Sequence, residues 1–196
     1  AKYNAIVKRV RNAKVVYADE TGFRVAGVNY WLWIFVTDSE VLVVIRQSRA
    51  IKVLREVLGR KFTGIIVCDG HKSYSNFTTR IQRCWAHLLR EAKHASEKSV
   101  EAEQLYGALC ELYEKLVDAL ALNPSLKKRK RLRRNALQTL RRLCRVKWKN
   151  EILCGLPRFR SDGRSILVSY YIQPASVAGC ASAITSMPWC VAWLRT

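Results

Sequence analysis

The chain is short of acid. Fifteen Asp and Glu stand against thirty-five Lys and Arg, leaving a formal net charge of +20 over 196 residues and a pI near 10.1. Like charges repel unless phosphates or counterions neutralise them. The imbalance therefore points to a polyanionic partner, with nucleic acid first, structural RNA of the ribosomal kind second and an anionic membrane third. Paired cysteines are also missing: the seven present (Cys68, Cys84, Cys110, Cys144, Cys154, Cys180, Cys190) are an odd number, and none stands in a C-x-x-C pair. That argues against a disulfide framework and against a zinc ribbon. No uninterrupted apolar run approaches the ~18 residues of a spanning helix, and the opening AKYNAIVKRV carries no apolar signal region. These absences read as a cytosolic protein with no membrane partner. The first residue is not Met, and Lys8, Arg9, Arg11 and Lys14 lead straight into a strand, so a fragment with an upstream start is expected. Repeats and low-complexity linkers are absent. What is present, a 49% share of apolar and aromatic residues, can fill the core of one domain with an insertion, or of two small ones.

From Lys14 to Asp69 the pattern is that of a sheet. VVYA (15–18), YWLWIFV (30–36), VLVVI (41–45) and GIIVC (64–68) are short, β-branched or aromatic, and flanked by turn formers. Brief connections, Thr21-Gly22 through Asn29 and then Thr37 to Glu40, suit antiparallel neighbours for the first three. Ala50 to Leu58 carries Ile51, Leu54, Val57 and Leu58 at helical spacing and stops at Gly59, a natural C-cap. The order is β-β-β-α-β, followed by a short helix near 73–77, a fifth strand in IQRCW (81–85), and further helix. Leu105, Leu109, Leu112, Leu116 and Leu120 then share one helical face; Asn123-Pro124 reads as an N-cap and first helical position; and Leu132, Ala136, Leu137, Leu140 and Leu143 form the next stripe. The two should pair as an antiparallel hairpin, each helix roughly 30 Å long at ~1.5 Å per residue. After Glu151 the composition changes: from Asp162 onward only Asp162, Arg164 and Arg195 are charged, and no period of 2 or 3.6 emerges. The divisions expected are 1–95 for the sheet-bearing core, 96–150 for the helical insertion and 151–196 for an atypical tail.

Asp19 ends the first strand and Asp69 the fourth. If those strands are neighbours, both carboxylates emerge at one edge and can share a pair of divalent ions. Such a pair, about 4 Å apart, activates the attacking oxygen and stabilises the leaving one during displacement at a phosphodiester, and carboxylate oxygens are the ligands magnesium prefers. The plainer reading is that Asp before Gly or Thr-Gly forms turns through its own side chain.

The stretch from about Lys14 to Leu156 resembles the DDE transposases of the insertion sequence 66 (IS66) family. The strings that carry the likeness are ADETGFRVAGVNYWLW (18–33), VLGRKFTGIIVCDGHKSYSNF (57–77) and RIQRCWAHLLREAK (80–93). The resemblance implies an α/β, RNase H-like mixed sheet, with three antiparallel strands and then strands alternating with helices, interrupted by an α-helical hairpin insertion. It makes Asp19 and Asp69 the first two catalytic and metal-binding acids. It further implies Mg2+ or Mn2+ at a two-metal site, strand cleavage and strand transfer on transposon-end and target DNA, a homodimer on DNA, and a prokaryotic, nucleoid-associated setting. The family's third acid lies in an Asn-Asn-x-x-Glu-Arg type motif after the insertion, whereas residues 152–196 contain neither Asn nor Glu. That tail looks like translation in a shifted frame. With two ligands metal would be held weakly, and an inactive or truncated copy is expected.

Other acids are weaker candidates. Glu20 should point away from Asp19, and Glu111, Glu114 and Glu151 lie on or beside the insertion; solvated or helix-pair roles are the default for all four. Cys84 and His87 have C-x-x-H spacing without a second ligand pair, which favours packing at a helix start over zinc. His71 could approach the phosphate or bond within its turn, and His94 reads as surface. Tyr30, Trp31 and Trp33 read as sheet core, and Trp148 is open. The densest charge is KKRKRLRR: Lys127, Lys128, Arg129, Lys130, Arg131, Arg133 and Arg134, extended by Arg141, Arg142, Arg145, Lys147 and Lys149, with no acid between Asp118 and Glu151. A solvated face normally interleaves Glu with Lys, so this one reads as a DNA-contacting helix. The alternatives to a DNA-cutting and joining enzyme are a catalytically dead DNA-binding remnant, an RNase H-like nuclease acting on hybrids or junctions, and a structural RNA binder.

Overall fold

A computed structural model describes residues 2–145; Trp148, Glu151 and the whole tail 151–196 lie outside the described residues. The chain divides into two compact units, Ala1–His87 and the remainder from Leu88 onward. It is an α/β protein, with one five-stranded mixed sheet and six helices among the described residues.

The first unit begins with α1 (Lys2–Arg11), a helix where the sequence suggests only a basic lead-in. Ile6, Val7 and Val10 fall at i, i+1 and i+4, and Val10 is wholly buried while the other two pack against the core. The sheet follows: β1 (Val15–Val25), β2 (Val28–Val36), β3 (Val41–Arg46), then α2 (Ile51–Leu58), β4 (Ile65–Cys68), α3 (Lys72–Phe77) and β5 (Ile81–Arg83). The strand order is β3-β2-β1-β4-β5. As expected, the first three strands are antiparallel; β4 joins β1 in parallel, and β5 joins β4 in parallel.

The long β1/β2 hairpin corrects the expected connection at 21–29. Strand pairing continues to Val25↔Val28, and the turn is only Ala26-Gly27, with φ of 48° and 80°. Two successive positive φ values make a two-residue hairpin turn whose twist matches its strands, which is why Gly stands second. Gly22 is therefore a strand residue. A Cβ there would lie in ordinary contact, 3.7 Å from the Trp31 ring of the opposing strand. Asp19 is thus inside β1, paired with Ile34, and not at the strand's end.

Alternation places Val16, Ala18 and Glu20 on the buried face of β1, and Trp33 and Phe35 on that of β2. Val53, Leu54, Val57 and Leu58 of α2 belong to the same core, and Tyr74 of α3 meets Trp33 edge-on at 6.1 Å. Gly59, at φ 80°, ends α2 as expected and donates to the Arg55 carbonyl. Arg11 adds two bonds to the same helix end, onto the Glu56 and Val57 carbonyls. At Gly64 a Cβ would collide with the Ala13 carbonyl, so glycine is needed for β4 to lie against the entrance of β1.

α4 (Trp85–Ser96) starts two residues after β5, so Trp85 is the first helical residue and not the end of a strand. In the second unit, α5 (Val100–Ala121) is capped by Ser99 and buries Ala102, Leu105, Leu109 and Leu116. α6 (Leu126–Arg145) touches α5 and buries Ala136 and Leu140. The expected cap is shifted. Asn123 has a φ of 45° and closes α5 by donating to the Leu120 carbonyl, while the Ser125 hydroxyl accepts from Lys128 at the start of α6. No helix among the described residues is long and apolar enough to cross a membrane.

Candidate active site

Parallel pairing of β1 with β4 runs Val15↔Ile65, Val16↔Ile66, Tyr17↔Val67. Two residues further on, that register brings Asp19 level with Asp69, the residue immediately after β4. Sequence reasoning could anticipate this only by assuming the two strands adjacent. The side chains have different surroundings. Asp19 is 62% exposed and Asp69 12%.

Asp69 is held on both oxygens. Oδ1 accepts from the His71 N–H at 2.8 Å and Oδ2 from Nη2 of Arg49 at 3.3 Å, while its carbonyl accepts from Arg83. Arg49 also donates through Nε to Oε1 of Glu20 at 2.7 Å, and its guanidinium lies 4.8 Å from the centre of the Trp31 ring. The other oxygen of Glu20 accepts from the Tyr74 hydroxyl. Glu20 does point away from Asp19, as alternation requires, but it is not solvated: its side chain is 0% exposed. Burial raises its carboxyl pKa, against the bonds from Tyr74 and Arg49 that lower it, and nearby Asp69 adds to the rise. Burial, then the neighbouring Glu20, likewise pushes the Tyr74 phenol far up, so it serves as a donor. Sequence reasoning misses Glu20, Arg49 and Tyr74 as site residues. The available signal is the parity of Val16, Ala18 and Glu20, which sets an acid on an apolar face where it needs a cation.

Around Asp19 the partners come from the start of α4. Nε2 of His87 stands 3.9 Å from Oδ1 of Asp19, which also accepts from the Glu20 N–H. Cys84, just before α4, has its thiol raised by burial but brought below its ordinary value by the bond to His87, the charge there and the N–H groups of His87 and Ala86. The C-x-x-H spacing thus makes a local thiol–imidazole contact at a helix start. His71 caps α3, its Nδ1 accepting from the Ser73 N–H at 3.4 Å, which answers the question of its turn bond. Trp33 is fully buried as expected; Tyr30 and Trp31 are only half-buried. Exposed Glu111 pairs with Lys115 at i+4, and Glu114 and His94 are exposed on their helices, as expected.

Of the basic residues singled out on α6, Lys127, Lys128, Lys130, Arg131, Arg133, Arg134, Arg141 and Arg142 are exposed to at least an intermediate degree. Arg129 differs. It folds back onto the Pro124 carbonyl at 2.7 Å and the Asn123 side chain at 2.5 Å.

Among comparisons with known proteins, the sequence model of the family described as Transposase IS66 family matches residues 1–153. No curated protein and no solved structure matches the chain.

Proposed function

The chain belongs to the IS66 family of transposases, and from that premise we propose that its first unit is the DNA-cleaving and strand-joining core, built as an RNase H-like sheet with Asp19 and Asp69 as its acids. The family implies DNA as the partner. The observation that carries the reading is the β1/β4 register, which, continued two residues past its last pair, brings Asp19 of β1 level with Asp69 just beyond β4.

Their chemistry suits a divalent cation. Both offer hard carboxylate oxygens, and each Asp69 oxygen retains a lone pair beyond the bond it accepts. Among the described residues no group of three or more Asp, Glu, His and Cys side chains gathers to hold a metal ion. Mg2+ or Mn2+ would thus be held here by two protein carboxylates, water and phosphate oxygens filling the remainder. When bound, such ions supply Lewis-acid stabilisation of phosphodiester displacement. Asp19 presents a largely exposed carboxylate, and Asp69 presents one held on both oxygens. The helices α5 and α6 read as the family's insertion, with the exposed cations of α6 meeting the phosphate backbone.

The test is a Mg2+-dependent nicking and strand-transfer assay on transposon-end DNA, with Asp19→Ala and Asp69→Ala beside the natural chain. Loss of product in both is expected; product unaffected by both changes would remove the mechanism. One observation favours a second reading, a DNA-binding remnant without catalysis: residues 152–196 contain no Asn-Asn-x-x-Glu-Arg type motif. Salt-sensitive DNA binding with no cleavage by the natural chain would select it.

A further inference from the structure

Asp69 sits one residue beyond a four-residue strand, where nothing in the backbone ladder fixes its side chain. Its Oδ1 is held locally, by the His71 N–H at 2.8 Å; what holds Oδ2 comes from elsewhere in the first unit. Arg49 lies in the loop between β3 and α2, and that loop is itself pinned. The Trp33 indole donates to the Ser48 carbonyl at 3.1 Å, the Ser73 hydroxyl donates to the Arg49 carbonyl at 2.8 Å, and the Ala50 N–H donates to the Ser48 hydroxyl at 3.1 Å. From this anchored backbone the guanidinium spans two carboxylates, Glu20 through Nε and Asp69 through Nη2. It rests by the Trp31 ring, and Tyr74 holds the far oxygen of Glu20. A planar group with several donors in a fixed fork can serve both acids at once in set directions, and a point-like ammonium cannot.

We infer that Arg49 is a positioning residue for the proposed site: held by Glu20 and Trp31, its guanidinium joins the His71 N–H in setting the direction in which the Asp69 carboxylate offers its oxygens. This rests on the metal-binding reading of Asp19 and Asp69. The competing role is a counter-charge for buried Glu20 and nothing more. The two differ in sign. A positive charge beside Asp69 weakens cation binding there by Coulomb's law, so as a mere counter-charge its removal would tighten binding. As a positioning residue its removal loosens binding.

The experiment is Mn2+ titration of the full chain followed by electron paramagnetic resonance, which reads affinity without turnover. The natural chain is compared with Asp19→Ala, Asp69→Ala, Arg49→Lys, Arg49→Ala and Tyr74→Phe, each checked for cooperative unfolding. Arg49→Lys, which keeps the charge and loses the fork, is expected to weaken Mn2+ about tenfold, the low end of what partners of metal ligands cost. Arg49→Ala should also weaken it, and Tyr74→Phe should do so by less. If Arg49→Ala does not fold, Arg49→Lys and Tyr74→Phe decide. Unchanged affinity in Arg49→Lys, or tighter binding in Arg49→Ala, overturns the inference while leaving the two aspartates in place. Absence in the natural chain of any Mn2+ binding that depends on Asp19 and Asp69 overturns both readings.

Discussion

The sheet-bearing unit and helix α6 handle charge in opposite ways. Around the sheet, acids meet arginines: Glu40 with Arg9, Glu56 with Arg46, and Glu20 and Asp69 with Arg49. On α6 a run of cations stands exposed in a stretch of sequence with no acid between Asp118 and Glu151. In the first region charge serves geometry where carboxylates are buried, since Glu20, Asp69 and Arg49 hold one another in fixed directions. On the proposed reading the second serves a polyanion, because exposed cations gain from releasing the counterions of a phosphate backbone. One region would position a reaction, the other would hold its substrate.

Substitutions that separate these roles make the contrast testable. The largest effect is expected at the two aspartates. Asp19→Ala or Asp69→Ala should lower strand cleavage about a thousandfold or more, since ligand-held metal contributes several kcal/mol to such transition states. Duplex binding, measured by fluorescence anisotropy, should be retained; a parallel loss of binding would merge the two regions into one. Next in size is the Glu20 pairing. Arg49→Ala leaves a wholly buried carboxyl without its cation, and a loss of about 3 kcal/mol in denaturant-derived stability is expected, the low end for broken buried pairs because Arg49 is itself a third exposed. By contrast Glu56→Ala breaks an exposed pair and should cost under about 1 kcal/mol.

Changing Lys127, Lys128, Lys130 and Arg131 together to Gln should leave cleavage chemistry at saturating DNA intact but flatten the salt dependence of binding. The slope of log affinity against log salt should fall by up to about 0.9 for each phosphate the variant no longer neutralises. An unchanged slope would make α6 a solvated face. The smallest effect is a pH slope. A carboxyl whose pKa is raised on folding, as burial raises Glu20, contributes stability that is complete below its ordinary value of 4.5 and is lost as pH rises through the folded value. Stability should therefore decline as pH climbs above 4.5, and Glu20→Gln should reduce that decline. A slope identical in the variant would place the titration elsewhere.

The site is half legible in the sequence. Asp19 and Asp69 can be named because each follows a recognisable apolar run, and strings around both resemble one family. Glu20 reads as solvated because that is the default for an acid pointing away from Asp19; the hairpin turn lies at Ala26-Gly27, further along the chain. Once β1 is extended that far, strict alternation puts Glu20 inward. Arg49 cannot be found at all, since nothing local distinguishes it from the other arginines. Helix α1 is hidden by its charge: Lys2, Lys8, Arg9 and Arg11 mask the short stripe of Ile6, Val7 and Val10.

Sequence alone therefore determined the element order from β1 onward, the antiparallel start of the sheet, the stop at Gly59 and the basic character of α6. These depend on hydrophobic period, turn chemistry and composition, all of which act over a few residues. Tertiary structure alone decided that β4 lies beside β1 in a register levelling Asp19 with Asp69, that Glu20 is buried, and that Arg49 reaches both Glu20 and Asp69. Those facts require segments far apart in the chain to meet. What brings them together is the burial of one shared apolar face, a condition no local stretch of chain can express.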